Sequence, residues 1–126
     1  MIQNQNKPAI VVLGASPKAD RYSHKAVALL IEHGYNVIPV NLSGAEVCGL
    51  NSLRSLSEIL CETNTLTVYV KPSRSDLMKD EILALNPKRI IFNPGAENAE
   101  LQKVCVENGI ETLEVCTLLL LKTGQF

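Results

Sequence analysis

The chain is short of most residue types that announce chemistry. Its 126 residues include no tryptophan, two phenylalanines, three tyrosines, two histidines (His24 and His33) and four cysteines. Cys48, Cys61, Cys105 and Cys116 are scattered and form no C-x-x-C pair. Two histidines on one segment do not complete a tetrahedral set with them, so no structural zinc is expected. Most of the cysteines read as reduced, half-buried small hydrophobes. Charge of one sign is missing too. Twelve basic against thirteen acidic residues leave a net charge of −1 without a basic stripe, which argues against a nucleic-acid surface. No apolar run approaches the roughly 20 residues needed to span a bilayer. The opening "MIQNQNKPAI" is polar and has no h-region, so no signal peptide is read and a cytoplasmic location is expected. The G-x-S-x-G elbow and the Walker glycine–lysine loop are also absent.

What is present is an alternation. A hydrophobic fraction of 46% and a charged fraction of 20% fit one globular domain over residues 1–126. The runs "AIVVL" (9–13), "NVIPV" (36–40), "TLTVYV" (65–70), "RIIFN" (89–93) and "IETLEV" (110–115) read as strands. Pro39 cannot donate a ladder bond, which places it near the C-terminal end of the second. Between them lie helical patterns. Residues 23–34 start at Ser23 as N-cap and stop at Gly34. Residues 52–60 carry a capping box at Ser55 and Glu58. Residues 73–85 carry another at Ser73 and Asp76, with Leu77, Ile82 and Leu85 on one stripe. Residues 97–109 end at Gly109, and a short helix covers 117–124. Strands alternating with helices imply βαβ units and right-handed crossovers. The expected fold is α/β: a Rossmann-like, doubly wound parallel sheet of about five strands in a three-layer αβα sandwich.

In such a sheet the ligand lies outside the carboxyl ends of the strands. That rule selects 13–18, 40–44, 70–74, 92–97 and 115–117. In "LGASPK", Gly14 and Ala15 form a tight turn whose N–H groups suit a phosphate. Ser16 adds a hydroxyl, and Lys18, Arg21 and Lys25 add cations. The full G-x-G-x-x-G fingerprint is missing, and the second strand ends in Asn41 rather than a carboxylate. NAD is therefore disfavoured. NADP, or a phosphorylated ADP group such as that of coenzyme A, suits the surplus cations better. Lys71 and Pro72 follow the third strand, Asn93 and Gly95 the fourth, and Cys116 the fifth. His24 lies beside the first loop without a visible partner, so no nucleophile, base and orienter are legible together. His33, near the end of the first helix, reads as structural.

The stretch "IVVLGASPKADRYSHKAVALLIEHGYNVIPVN", the "KP" at 71–72 and the glycine turn after the fourth strand resemble the small CoA-binding domain proteins. Their fold is similar to the N-terminal CoA-binding domain of the succinyl-CoA synthetase alpha subunit. The resemblance implies that residues 13–16 cradle CoA phosphates with help from Lys25 or Arg21. It places Asn41 near the adenosine, with 71–72 and 92–95 lining the rest. Two positions depart from the family pattern. Glu114-Val115-Cys116 lacks an arginine, and Leu42-Ser43-Gly44 stands where a proline is usual. The phosphorylated histidine and nucleotide-grasping parts of a synthetase do not fit in this length. The expected function is therefore binding of coenzyme A or an acyl-CoA without chemistry of its own. The alternative is a small NADP-dependent or CoA-thiol-handling enzyme using Cys116 or His24. A third reading is an interaction subunit with a vestigial site. The run Leu118–Leu121 packs either on the sheet or on a second copy as a homodimer.

Overall fold

The computed structural model describes residues 7–126, so most of the polar opening stretch lies outside the described residues. Five strands form one all-parallel sheet: β1 (Ala9–Leu13), β2 (Asn36–Val40), β3 (Thr63–Val68), β4 (Arg89–Phe92) and β5 (Glu111–Glu114). Their spatial order is β2-β1-β3-β4-β5. The chain winds outward to β2 and then returns past β1, so the order reverses between β1 and β3. That reversal opens a crevice above the carboxyl ends of the first strands.

Side chains of β1 alternate between two buried layers, as the twofold period of a strand requires. Ala9, Val11 and Leu13 join one cluster with Leu66, Val68, Ile90 and Phe92. It is covered by α3 (Lys79–Leu85) and α4 (Ala99–Glu107). Ile10 and Val12 join the other with Val27, Leu30 and Leu121. It is covered by α1 (Tyr22–Glu32) and α5 (Thr117–Lys122). The three-layer αβα arrangement thus follows from the five apolar runs. Pro39 lies on the edge strand, paired with Val12, where its missing N–H faces away from the sheet interior. Among the described residues no helix is long and apolar enough to cross a membrane.

Three helical expectations change. Helix α1 is N-capped by Arg21, not Ser23, and Ser23 is buried inside the first turn. The segment 52–60 forms only a 3-10 turn at Leu56–Glu58. Ser55 caps it by accepting from the Ser57 N–H. The Ser55 side chain takes a backbone N–H in this way, and the helix does not run past one turn. The segment 73–85 is broken: α2 (Pro72–Ser75) is followed by a 3-10 turn at Asp76–Met78 and then α3. Pro72 takes the N1 position, so the helix starts two residues earlier than a Ser73 cap implies. Asn98 docks at the break, its amide donating to Ser75 Oγ (2.9 Å) and Asp76 Oδ1 (2.8 Å). The break turns Leu77 outward, leaving it 84% exposed. Of the run Leu118–Leu121, Leu118 and Leu121 are buried within the chain while Leu119 is exposed.

Candidate functional site

Gly14 ends β1 with φ +88°. Its missing side chain serves a strand crossing: a Cβ there would lie 2.9 Å from Val70 Cγ1 and 3.3 Å from the Tyr69 carbonyl carbon. The Tyr69 N–H donates to Leu13 O (2.9 Å), fixing the end of β3 against that turn. The N–H groups of Gly14 and Ala15 both donate to Val40 O, at 3.0 and 3.1 Å. Two donors expected to face a phosphate are therefore spent on β2. Ser16 is differently placed. Its hydroxyl oxygen accepts from the Lys18 N–H (3.1 Å) and keeps its own proton to donate.

Asn41 is locked into the same turn. Its amide donates to Ala15 O at 2.6 Å, and its Oδ1 accepts from Ser43 N–H (2.8 Å) and Ser43 Oγ (2.7 Å). The segment after β2 folds back beside it through an isolated bridge between Val40 and Leu53. That bridge delivers Arg54 to the strand end, where its Nη1 lies 3.4 Å from Leu42 O. The result is a cleft of about 320 Å³ over the ends of β1 and β2. Gly14, Ala15, Ser16 and Asn41 form one wall, and Arg54 and Arg74 supply its cations. Glu81 also lines it, but its Oε1 accepts from Ser55 Oγ at 2.6 Å.

The other expected site residues lie elsewhere. Arg21 pairs loosely with Asp20 (3.8 Å), and Lys25 stands over the Tyr22 ring, 5.5 Å from its centroid; both are exposed beside the start of α1. Lys71 caps α2 from its exposed first turn, Pro72 follows it, and neither lines the cleft. Gly95 is exposed, with its N–H donating to Glu97 Oε1 (2.9 Å). Asn93 is buried. Its amide donates to Thr67 Oγ1 (2.7 Å) and Val68 O (2.9 Å), and its Oδ1 accepts from the Thr117 N–H (2.8 Å). It thus joins β3, β4 and α5.

Sequence reasoning missed Arg54 and Arg74. Arg74 falls inside the window 70–74, but β3 ends at Val68 instead of Val70, which shifts the facing cation from Lys71 to Arg74. Nothing local marks Arg54, because a long-range bridge places it. The structure also supplies a partner for His24. Its Nδ1 lies 3.0 Å from Ser16 O and its Nε2 lies 3.5 Å from Cys48 Sγ. Cys116 caps α5 and lies outside the cleft lining.

Beside Cys116, the Tyr69 hydroxyl is buried. Burial pushes its pKa up to about 12; the neighbouring Thr117 and Thr67 hydroxyls offset this only in part, and Cys116 adds to it. The raised value means the neutral phenol is favoured in the folded state. Its contribution to stability is complete below pH 10 and is lost as pH rises through about 12. Ultraviolet titration should show one of the three tyrosines ionising last, and Tyr69→Phe should remove that late step.

Comparison with known proteins places this geometry. A crystal structure of an uncharacterized protein superimposes with a TM-score of 0.89 at 38% identity, covering 95% of this chain and 98% of that one. Protein YneT of Bacillus subtilis, itself uncharacterized, is 28% identical over 105 residues, 83% of this chain and 78% of its own. The dinucleotide-forming acetyl-coenzyme A synthetase 1 of Ca. Korarchaeum cryptofilum, solved with phosphate and ADP, shares the fold with a TM-score of 0.71. The identity there is 20%, over 85% of this chain and 25% of that longer one. The family model described as "CoA binding domain" matches residues 8–122, nearly the whole described chain. With its parallel sheet and its cleft at the strand reversal, the chain belongs to the CoA binding domain family.

Proposed function

We propose that the protein is a single-domain, cytoplasmic CoA-binding module that holds coenzyme A or an acyl-CoA by its phosphorylated ADP end and catalyses no turnover of it. The observation that carries this reading is the cleft at the strand reversal, where the Ser16 hydroxyl shares one space with two arginines. Guanidinium groups are suited to paired phosphate oxygens, and a hydroxyl with a free proton adds a neutral donor. The start of α1 supports the same reading, since no side chain caps it and Arg21 and Lys25 flank it. A volume of about 320 Å³ is at the small end for small-molecule sites. It suits the nucleotide end of CoA and leaves the pantetheine arm outside. When bound, CoA supplies a thiol able to carry acyl groups as thioesters. Asn41 brings no carboxylate to the strand end, so an extra ribose phosphate meets no repulsion there.

Replacing both Arg54 and Arg74 by alanine tests this reading. Charge-assisted hydrogen bonds are worth about 1.5–3 kcal/mol each, so the double variant should bind CoA about a hundredfold or more weakly. Both side chains are exposed, so thermal stability should barely change. Unchanged CoA affinity in calorimetric titration of that variant would move the phosphate site away from this cleft.

A further inference from the structure

One cluster outside the cleft joins a nucleophile to a base. Val47 and Leu50 exchange both backbone hydrogen bonds, each 2.9 Å, and close a two-residue hairpin with Cys48 and Gly49 at its tip. Both tip residues have positive φ, +51° and +81°. Such a turn favours Asn, Asp or Gly at its first position, so a cysteine there is conformationally disfavoured. A disfavoured backbone held by its surroundings is a pointer to function when the side chain it aims is reactive.

The hairpin lays Cys48 Sγ 3.5 Å from His24 Nε2. His24 Nδ1 lies 3.0 Å from Ser16 O, which only accepts, so in the neutral ring Nδ1 carries the proton and Nε2 offers its lone pair to the thiol. The His24 carbonyl, 3.7 Å from the sulfur, is a second acceptor on the same residue. Thiol, imidazole and orienting carbonyl thus form a chain of the kind that activates nucleophiles. Among the described residues no other cysteine is hydrogen-bonded to an imidazole. Cys48 is half-buried, so a small reagent reaches it. Burial pushes its thiol up, so the sulfur rests protonated and gives up its proton as it attacks.

We propose that Cys48, activated by His24, is a site of covalent modification that takes CoA from a CoA-containing disulfide, a step that rests on the CoA reading of the adjacent Ser16 loop. Cys48 Sγ attacks one sulfur of the disulfide, forming a bond between Cys48 and CoA as the original S–S bond breaks. The Cys48 proton passes to His24 Nε2 and from there to the departing CoA thiolate. Cys48 ends as a mixed disulfide and one CoA leaves as free thiol, with the incoming disulfide as the only oxidant. The bound CoA end raises the local concentration of the reacting sulfur.

The test treats reduced protein with CoA disulfide, or with hydroxyethyl disulfide at the same concentration, and follows intact mass over time with peptide mapping. The expected result is one CoA per chain on Cys48, no such adduct in Cys48→Ser, and reaction at least tenfold slower in His24→Gln. CoA disulfide should react at least tenfold faster than hydroxyethyl disulfide. Labelling of Cys61 or Cys116 in preference to Cys48, or His24→Gln reacting as fast as the native chain, overturns the proposal. Equal rates for the two disulfides also overturn it as a CoA site. A parallel calorimetric titration with reduced CoA separates the causes: CoA bound with equal rates refutes this step alone, whereas no CoA bound refutes the reading beneath it. Cys48→Gly should raise the unfolding midpoint, and a lowered midpoint would remove the backbone argument.

Discussion

Gly14→Val is expected to lower the free energy of unfolding by about 3 kcal/mol or more, and to abolish ligand binding even in the fraction that folds. Two costs combine. A β-branched residue at φ +88° is strained by about 1–2 kcal/mol. The new Cβ would also stand 2.9 Å from Val70 Cγ1 and 3.3 Å from the backbone of Tyr69, an overpacking worth about 1–3 kcal/mol. Relief requires the end of β3 to move away from Leu13, which breaks the Tyr69 N–H bond to Leu13 O and displaces Ser16. Urea unfolding monitored by circular dichroism measures the first effect and CoA titration the second. Gly14→Ala carries the contact with less bulk and should fall between the native chain and the valine variant. Native-like stability in both variants would mean that the turn at the end of β1 is free to open.

Asn93→Ala is expected to cost about 3–4 kcal/mol and yet leave the CoA affinity of the folded protein within about threefold. Three hydrogen bonds of 2.7–2.9 Å disappear, and the Thr117 N–H, fully buried, is left without its acceptor. Each buried group left unpaired costs about 1–3 kcal/mol, and the remaining Thr67–Thr117 hydroxyl contact (2.7 Å) recovers part of it. Affinity is spared because Asn93 does not line the cleft. Asn93 and Gly14 each directly follow a strand, β4 and β1, but they differ in kind. One ties three elements together from inside, and the other shapes the wall of the site. Chemical denaturation paired with titration separates the two roles. A loss of CoA affinity of tenfold or more with little loss of stability would assign Asn93 to the ligand.

Strong local patterns made the sheet legible. The apolar run 9–13 and the run 36–40 have the bounds of β1 and β2 because nothing but a buried parallel strand accommodates them. β3 runs two residues earlier than "TLTVYV" suggests. Its start is set by pairing, with Thr63 beside Ala9, and its end by the turn at Gly14. Neither constraint is local. The break before α3 and the outward Leu77 depend on Asn98, more than twenty residues downstream. The candidate site divides in the same way. Gly14, Ala15, Ser16 and Asn41 follow from the rule of strand ends, whereas Arg54 arrives through a bridge to Val40 that no periodicity records. The partner of His24 was hidden for the same reason, since a tight turn at Cys48 carries the sulfur across 24 residues of chain.

The most direct test of CoA binding is calorimetric titration of the reduced protein with CoA, NAD and NADP in parallel. Saturable binding of CoA, weakened about a hundredfold or more by Arg54→Ala with Arg74→Ala and absent for NAD, is the predicted result. Binding of NAD or NADP with no response to CoA would contradict the account.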